Sequence, residues 1–418
     1  MEKMKFSTAY FAPSQLWKWL LLSLLIGIPV GLASAGFLTA LDWVTQTREA
    51  AIWLIAFLPL GGLLIGLLYH YYGQDVVKGN NQLLEEFHSP KQIIPFKMAP
   101  LVLIGTLLTH LFGGSAGREG TAVQMGGAIA DQFSKKFGIT SSERQMILIA
   151  GISGGFASVF GTPLAGAVFA IEVLAKGTNR YRAVLPSLFT AVVADMTCHY
   201  AGATHTIYTI PFVPDIQPTF LLWSVLAGIL FGLAAFSFSK VVHFFGKMFS
   251  SGFSYPPLRP VIGGIIIAVV VYLMGTTKYI GLGIPTIVSA FEQSLPPYDF
   301  MIKLLLTTFT LGAGFKGGEV TPLFFIGATL GNALSFFIPL PMALLAGMGF
   351  VAVFSGATNT PLACTIMGLE LFGTEAGIFI AIACFVAFFA SGKTGIYSSQ
   401  EVHRFKSKWF KIFDRATK

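Results

Sequence analysis

A glutamate lies inside a glycine-rich break between apolar stretches of the chain. Residues 113–121 read GGSAGREGT, and Glu119 is their acidic member. Glycines let backbone amides approach a ligand closely, and amides such as that of Gly120, at the start of the predicted following helix, favour an anion. A carboxylate here can occupy an anion site when charged and leave it when protonated. We therefore predict that Glu119 gates an anion pathway and carries a proton, in preference to forming a structural pair with Arg118.

A second glycine-rich break contains the same types of residue. Residues 317–322 read GGEVTP, and Pro322 suits the first turn of a helix, where a missing N–H breaks no hydrogen bond. The amide of Val320 and the hydroxyl of Thr321 are predicted to form the other wall of the anion site. Glu319 is a second carboxylate, for which gating or proton transfer and a purely structural role are both open.

Three short motifs occur twice in the same order, once in each half of the chain. This repeat predicts two transmembrane repeats, 19–210 and 211–400, between a cytoplasmic N-terminus 1–18 and a basic cytoplasmic tail 401–418. Interrupted apolar segments at matching positions of two repeats indicate a transporter site at their interface. The matching motifs are Gly79–Asn81 with Gly281–Gly283, Gly117–Thr121 with Gly317–Thr321, and Thr162–Ala165 with Thr360–Ala363.

The composition indicates a membrane protein. Of the 418 residues, 54% are hydrophobic and 11% are charged, whereas a soluble domain has about 25% charged residues. This excludes a cytosolic enzyme and a nucleic-acid-binding protein, although the net charge is +8. The apolar run from Trp19 to Leu41 is long enough to cross a bilayer, so we interpret it as a span and not as a cleaved signal peptide.

The apolar segments differ in length, and this difference predicts broken helices. The run 220–245 is long and smooth, whereas several others are short and interrupted by Gly and Pro. Irregular backbone at membrane depth is tolerated only where protein buries it or where it lines a cavity. The sequence therefore predicts an all-α, multi-pass membrane protein with tilted and broken helices. The short segments are Met98–Phe112, Thr121–Phe133, Pro322–Phe337 and Pro341–Phe354.

Both ends of the chain are basic and flank apolar spans. Lys3 and Lys5 precede the first span, and the segment from His403 to Lys418 is rich in Lys and Arg. Because positively charged ends remain inside, we predict that both termini are cytoplasmic and that the chain crosses the cell membrane an even number of times. A tail helix on the lipid surface is compatible with the same topology.

Other patterns are less specific. Glu172 and Glu370 follow matching Thr-Pro-Leu-Ala motifs, and a structural role, such as binding the amides of a neighbouring loop, is the better interpretation.

Ser153 lies in a G-x-S-x-G pattern typical of serine hydrolases, with His199 or His243 as base. Helix contacts through Gly and Ser explain this pattern equally well, so an intramembrane hydrolase is a remote alternative. No Cys or His spacing indicates a metal site, and no cofactor is expected.

Together these motifs resemble those of the CLC family of chloride channels and proton-coupled anion antiporters. Gly117–Gly120, GREG, is similar to the loop with the family's gating glutamate, and Gly79–Asn81 lies where the first anion-binding loop occurs. Gly317–Pro322 is similar to the helix start that supplies further amides, and Tyr397 to the family's central tyrosine. The resemblance extends over residues 20–400. It implies a homodimer of all-α subunits, each with two inverted repeats and its own pathway.

Departures from the chloride members make the chain look like the family's fluoride/proton antiporters. Asn80 lies in Gly-Asn-Asn where chloride members have Gly-Ser-Gly, and Glu-Val-Thr-Pro around Thr321 replaces their Gly-x-Phe-x-Pro. Fluoride is small and strongly hydrated, so its dehydration requires close hydrogen-bond donors. The Asn80 amide and the Thr321 and Tyr397 hydroxyls would supply them. Val173 stands where chloride/proton antiporters have an inner proton-relay glutamate, which by itself favours a channel.

The leading hypothesis is a fluoride/proton antiporter, which is a transporter and not an enzyme. Its partners would be fluoride, protons, the lipid bilayer and a second copy of the chain. A chloride channel or chloride/proton exchanger of the same fold is the alternative, and anion selectivity separates the two. The remote hydrolase hypothesis at Ser153 does not explain the repeat.

Overall fold

The described part of the chain folds into two sets of eight α-helices. The computed structural model describes residues 13–136, 139–174, 182–393, 395–401 and 406–407. Over these residues there are sixteen α-helices, and the β-type pairing is a single bridge between two loops. The first set is α1 (Pro13–Ala50), α2 (Leu58–Tyr72), α3 (Asn80–His88), α4 (Met98–Leu111), α5 (Glu119–Lys136), α6 (Ser141–Phe160), α7 (Pro163–Glu172) and α8 (Val184–Tyr200). The second set is α9 (Pro218–Gly252), α10 (Leu258–Met274), α11 (Ile284–Glu292), α12 (Asp299–Gly312), α13 (Val320–Leu334), α14 (Met342–Thr358), α15 (Pro361–Phe372) and α16 (Gly377–Ala390).

The helix bounds agree with most of the predicted segments. The four short runs correspond to α4, α5, α13 and α14, and the run 220–245 lies in α9. The boundary predicted at residue 210 falls in the linker 203–217, which contains no helix. Helix α1 begins at Pro13, so the predicted N-terminus 1–18 includes its first residues. Residues 1–12 and most of the predicted tail 401–418 lie outside the described residues.

Long helical stretches alternate with short apolar helices. In the part of the chain that the structure describes, three stretches are long and apolar enough to cross a membrane: Gln15–Ala50, Ile52–Tyr72 and Pro218–Gly252. The shorter apolar helices include α4, α7, α13 and α14. Helices satisfy their own backbone hydrogen bonds, so short ones can end at membrane depth where neighbouring helices bury their ends.

The breaks between consecutive helices occur at matching positions of the two halves. Helix α6 ends where Gly161 adopts left-handed backbone, with φ 72°, and Pro163 then begins α7. In the second half Asn359 has φ 59°, and Pro361 begins α15. Gly and Asn adopt this conformation most readily, and proline in the first helical turn breaks no hydrogen bond. The repeated motif Thr-Pro-Leu-Ala therefore marks a repeated helix break.

The two halves meet at their glycine-rich loops as inverted repeats. Gly117 and Gly318 each donate a backbone hydrogen bond to the other, at N···O distances of 2.6 and 2.7 Å, and form an antiparallel bridge. A Cβ atom on Gly318 would lie 2.7 Å from the amide nitrogen of Gly120, so this approach requires glycine. Because matching loops pair in opposite directions, the starts of α5 and α13 are brought together from the two repeats.

Two matching glutamates connect the halves a second time. The carboxylate of Glu172 accepts hydrogen bonds from the amides of residues 362 and 363, at 3.1 and 2.8 Å. The carboxylate of Glu370 accepts from the amides of residues 164 and 165, at 2.9 and 2.7 Å. Each carboxylate thus caps the positive end of the other half's short helix, α15 or α7. The structural interpretation of both glutamates is confirmed.

Aromatic side chains form the core at the repeat interface. Phe156 of α6 and Phe354 of α14 have ring centroids 6.2 Å apart and an interplanar angle of 14°. Phe324 of α13 stacks on Phe350 of α14 with centroids 4.0 Å apart. All four side chains are fully buried. This packing connects the two repeats and holds the start of α13 in place.

Candidate anion and proton site

The carboxylate of Glu119 reaches across the repeat interface to Thr321. Glu119 is the first residue of α5 and Thr321 the second of α13, 202 positions apart in the chain. The Thr321 hydroxyl lies 2.6 and 2.7 Å from the two carboxylate oxygens, and its amide donates to Oε2 at 3.0 Å. The amide of Arg118 donates to the same oxygen at 3.2 Å. Glu119 is fully buried, so three protein donors take the place of water around its charge.

The carboxylate of Glu119 therefore occupies the start of α13 in the way that a bound anion would. The first amides of a helix have no partner inside the helix and carry partial positive charge. The guanidinium Nε of Arg118 lies 3.6 Å from Glu119 Oε1 and adds a full positive charge nearby. A free anion that needs the same donors can bind here only when the carboxylate of Glu119 leaves.

Gly120 brings two further predicted residues next to Glu119. A Cβ atom on Gly120 would lie 3.0 Å from Asn80 Nδ2 and 3.5 Å from Glu319 Oε2. Asn80 Oδ1 and Glu319 Oε2 are buried and lack a hydrogen-bond partner among the described residues. Buried polar atoms are seldom left unpaired. These two oxygens can therefore each accept a hydrogen bond from a water molecule, and Glu319 Oε2 can take up a proton.

Two cavities with no lining residue in common lie beside the predicted site residues. The linker-side cavity is lined by Glu119, Thr321 and residues of the 203–217 linker. The tail-side cavity is lined by Asn80, Tyr397 and apolar side chains. Four of the predicted site residues are thus divided between the two cavities.

A short segment near the end of the chain, the strap 396–400, closes one side of the tail-side cavity. A strap amide donates to Asn81 Oδ1 at 3.0 Å, and the Gln400 side chain donates to the carbonyl of Val173 at 3.0 Å. Tyr397, within the strap, is 7% exposed. The strap therefore holds Tyr397 and the start of α3, where Asn81 lies, around the same cavity.

Comparisons with known proteins agree with this arrangement. A family model described as voltage gated chloride channel matches residues 61–392. A chloride/fluoride channel protein of Pseudomonas syringae pv. tomato is 52% identical over 395 residues, which cover 92% of this chain and 86% of the relative. The chain belongs to the voltage-gated chloride channel (CLC) family.

Solved structures of CLC proteins share the fold. A crystal structure of a CLC-type fluoride/proton antiporter has a TM-score of 0.90 and 35% identity, and the match covers 93% of this chain and 99% of the other. A structure of a slow cyanobacterial Cl⁻/H⁺ antiporter has a TM-score of 0.78, covers 95% and 99% of the two chains, and at 21% identity shows the fold alone. The predicted resemblance and the all-α fold with inverted repeats are confirmed. This CLC chain is a membrane protein of a family of ion channels and transporters.

The predicted site residues of this CLC chain form two groups. The first surrounds the starts of α5 and α13, where the side chains of Glu119 and Thr321 bond directly. The second lines the tail-side cavity, and Gly120 lies between the groups, against Asn80. Val320 is buried at the first position of α13. The complete set is Asn80, Glu119, Gly120, Glu319, Val320, Thr321 and Tyr397.

Residues of the linker were not predicted, although they face Glu119. His205, Thr206 and Tyr208 line the linker-side cavity. Residues 204–210, THTIYTI, are rich in the β-branched residues Thr and Ile, which is typical of extended backbone. No signal in the sequence connected this segment with the glycine-rich loops.

Ser153 has the environment of a residue at a helix contact. It is fully buried in the middle of α6, and its hydroxyl donates to the carbonyl of Ser187 in α8 at 2.9 Å. This favours the helix-contact interpretation over a nucleophile. Among the described residues, no three His, Cys, Asp or Glu side chains are grouped so that they could hold a metal ion.

Proposed function

We propose that this chain exchanges fluoride for protons across a lipid bilayer, and that Glu119 both gates the anion pathway and carries the proton. The choice of ions is supported by two relatives. The Pseudomonas relative is named a chloride/fluoride channel protein, and the 35%-identical structure is that of a fluoride/proton antiporter.

One observation carries the proposal: the Glu119 carboxylate uses the donors that an anion needs. Both donors of Thr321 lie within 3.0 Å of its oxygens. Hydrogen bonds to a charged acceptor are roughly twice as strong as neutral ones. Protonation of Glu119 therefore weakens its hydrogen bonds with Thr321 and makes these donors available to fluoride. Fluoride and the charged carboxylate exclude each other, which is the physical basis of exchange.

Fluoride selectivity is proposed to come from close donors along the pathway. A strongly hydrated anion binds only where protein groups replace its water, since an uncompensated loss of hydrogen bonds costs several kcal/mol. The Asn80 side-chain amide, the Thr321 and Tyr397 hydroxyls, and the amides of Gly120 and Val320 are the proposed anion-binding groups.

Glu319 is proposed to transfer protons on the tail side of Glu119. Its Oε2 atom is buried without a partner in the described structure and faces Gly120, the residue that follows Glu119. A carboxylate in this position can accept a proton that Glu119 releases. This role would replace the inner glutamate of chloride/proton antiporters, where this chain has Val173.

The proposed working unit is a homodimer in the cell membrane with one pathway per subunit and both termini cytoplasmic. The site supports separate pathways, because one chain supplies both walls of the Glu119–Thr321 contact. The basic ends of the chain support the topology.

A fluoride or chloride channel is the second candidate, and Val173 favours it. This apolar residue lines the tail-side cavity at the position of the proton-relay glutamate. A pathway without a proton relay on that side would conduct anions without coupling.

The test uses purified protein in liposomes loaded with equal concentrations of fluoride and chloride. Ion-selective electrodes record the efflux of each anion while a dye reports internal pH, and no other proton pathway is present. Fluoride-selective efflux that drives protons uphill supports the antiporter. Selective efflux without proton movement means a channel, and equal movement of chloride contradicts the proposed roles of Asn80 and Thr321.

A further inference from the structure

The linker between the repeats is packed over the linker-side cavity. The ring of Tyr208 lies with its centroid 5.1 Å from that of Phe350 and 5.6 Å from that of Phe291. Both phenylalanines belong to the second repeat, on α14 and α11. The linker is therefore held in place over Glu119, and its polar side chains have defined positions.

His205 is fixed against the end of α6. Its Nε2 atom lies 3.2 Å from the carbonyl oxygen of Ser158. Gly161 makes room for the ring, because a Cβ atom there would lie 3.0 Å from His205 Nδ1. The Ser158 carbonyl can only accept, so Nε2 carries the hydrogen and the neutral ring has its lone pair on Nδ1. His205 is thus prepared to accept a proton at Nδ1.

The surroundings of His205 lower the pKa of its imidazole. Burial lowers its pKa, and the positive charge of Arg118 lowers it further. The Ser158 carbonyl and Asp195 act in the opposite direction but do not cancel the decrease. His205 is therefore neutral at neutral pH, and a proton that it accepts is readily passed on.

Glu119 needs such a carrier on this side. Its carboxylate is fully buried, so a proton from solution must cross the linker-side cavity to reach it. Both His205 and Glu119 line this cavity, together with Arg118. The positive charge of Arg118 opposes the entry of a free hydronium ion, whereas a neutral imidazole at the cavity wall can take up a proton and release it.

We propose that His205 relays protons between the solution on the linker side and Glu119. The proposal rests on the proposed proton-coupled function. Nδ1 accepts a proton from a hydronium ion of the solution, which is left as water. The Nδ1–H bond then breaks as water in the cavity passes a proton on, an O–H bond forms on the Glu119 carboxylate, and the imidazole is neutral again. During release from Glu119 the same steps run in reverse.

The test compares three variants with the wild type in the liposome assay. His205→Ala removes the relay and the contact with Ser158, whereas His205→Asn keeps a side-chain N–H for that carbonyl. His199→Asn is the matched control, because it changes a nearby histidine that does not line the cavity. Rates are measured at pH 5.5 and pH 8, with and without free histidine, a zwitterionic imidazole buffer that does not readily cross lipid.

Both His205 variants are expected to lose about tenfold or more in coupled rate at pH 8, where hydronium is scarce, and less at pH 5.5. Their ratio of fluoride to protons stays at the wild-type value, free histidine restores much of the rate, and His199→Asn behaves as wild type. A wild-type rate in His205→Ala would overturn the proposal. So would an active His205→Asn beside an inactive His205→Ala, because that result assigns His205 a structural contact only. If the wild type itself moves no protons, the proposed function fails instead.

Discussion

Glu119 and Thr321 are 202 residues apart in the chain, yet the carboxylate of one accepts hydrogen bonds from both the hydroxyl and the amide of the other. The contact joins the first repeat to the second at the starts of α5 and α13, which lie side by side. It places a titratable carboxyl group within hydrogen-bond distance of the first amides of α13. The predictions below begin with these two residues.

Glu119→Gln is expected to abolish proton coupling, because an amide of the same shape cannot ionise. Fluoride efflux from liposomes should no longer drive protons uphill, so the internal pH signal falls to the level of empty vesicles. Glu292→Gln, at the exposed end of α11, is the control and should leave coupling intact. A Glu119→Gln variant that moves protons at the wild-type ratio would show that another group carries the proton.

Thr321→Val should weaken fluoride binding, whereas Thr321→Ser should not. Valine keeps the shape of threonine but removes a hydroxyl whose hydrogen bond to a charged partner is worth about 1.5–3 kcal/mol. The expected result is a rise of roughly tenfold or more in the fluoride concentration that gives half-maximal flux. The same half-maximal concentration in both variants would place the fluoride site elsewhere.

Asn80→Ser is expected to reduce selectivity for fluoride over chloride. The asparagine amide lies beside Gly120 and lines the tail-side cavity, and serine offers a shorter side chain with a single hydroxyl donor. Efflux of the two anions from the same liposomes measures the ratio directly. An unchanged ratio would remove Asn80 from the selectivity mechanism.

Glu172→Gln and Glu370→Gln should destabilise the protein to similar extents without changing coupling. Each carboxylate accepts two amides of the other repeat, and a neutral side chain loses part of each charge-assisted bond, about 1–3 kcal/mol in all. Thermal unfolding in detergent measures the loss, and the liposome assay measures the ratio of fluoride to protons. A change in that ratio would indicate a role beyond structure.

Lys406 should make the stability of the tail contact depend on pH. Its ammonium group donates to Asn359 Oδ1 at 2.5 Å and to Ser391 Oγ at 2.9 Å, and it is fully buried. Burial lowers its pKa to about 7, compared with about 10.4 in an unfolded chain. Between these values the unfolded chain binds a proton that the folded chain does not, so the free energy of unfolding rises with pH.

The comparison that tests this is thermal unfolding of wild type and Lys406→Met at pH 7 and pH 9.5. The wild type should gain more stability than the variant as pH rises, since methionine fills the site without a titratable group. Equal gains in the two proteins would mean that Lys406 keeps its proton when buried.

The sequence by itself determined the repeat, the helix breaks and the candidate carboxylates. These depend on local properties, namely the residue types that end a helix, the length of an apolar run and the cost of a charge within it. Gly161 and Asn359 illustrate this, because each ends its helix through its own backbone preference. The resemblance to a known family then added Asn80 and Tyr397 to the predicted anion-binding residues.

Only the tertiary structure decided which of these residues meet. The Glu119–Thr321 contact and the two backbone hydrogen bonds between Gly117 and Gly318 depend on how the two repeats pack. The spacing of residues along one repeat does not determine the distance between residues of different repeats. His205 shows the same limit, because it reaches the cavity only when the linker folds back over α6. Chemistry at this site arises between repeats, where long-range packing, and not local preference, sets the distances between atoms.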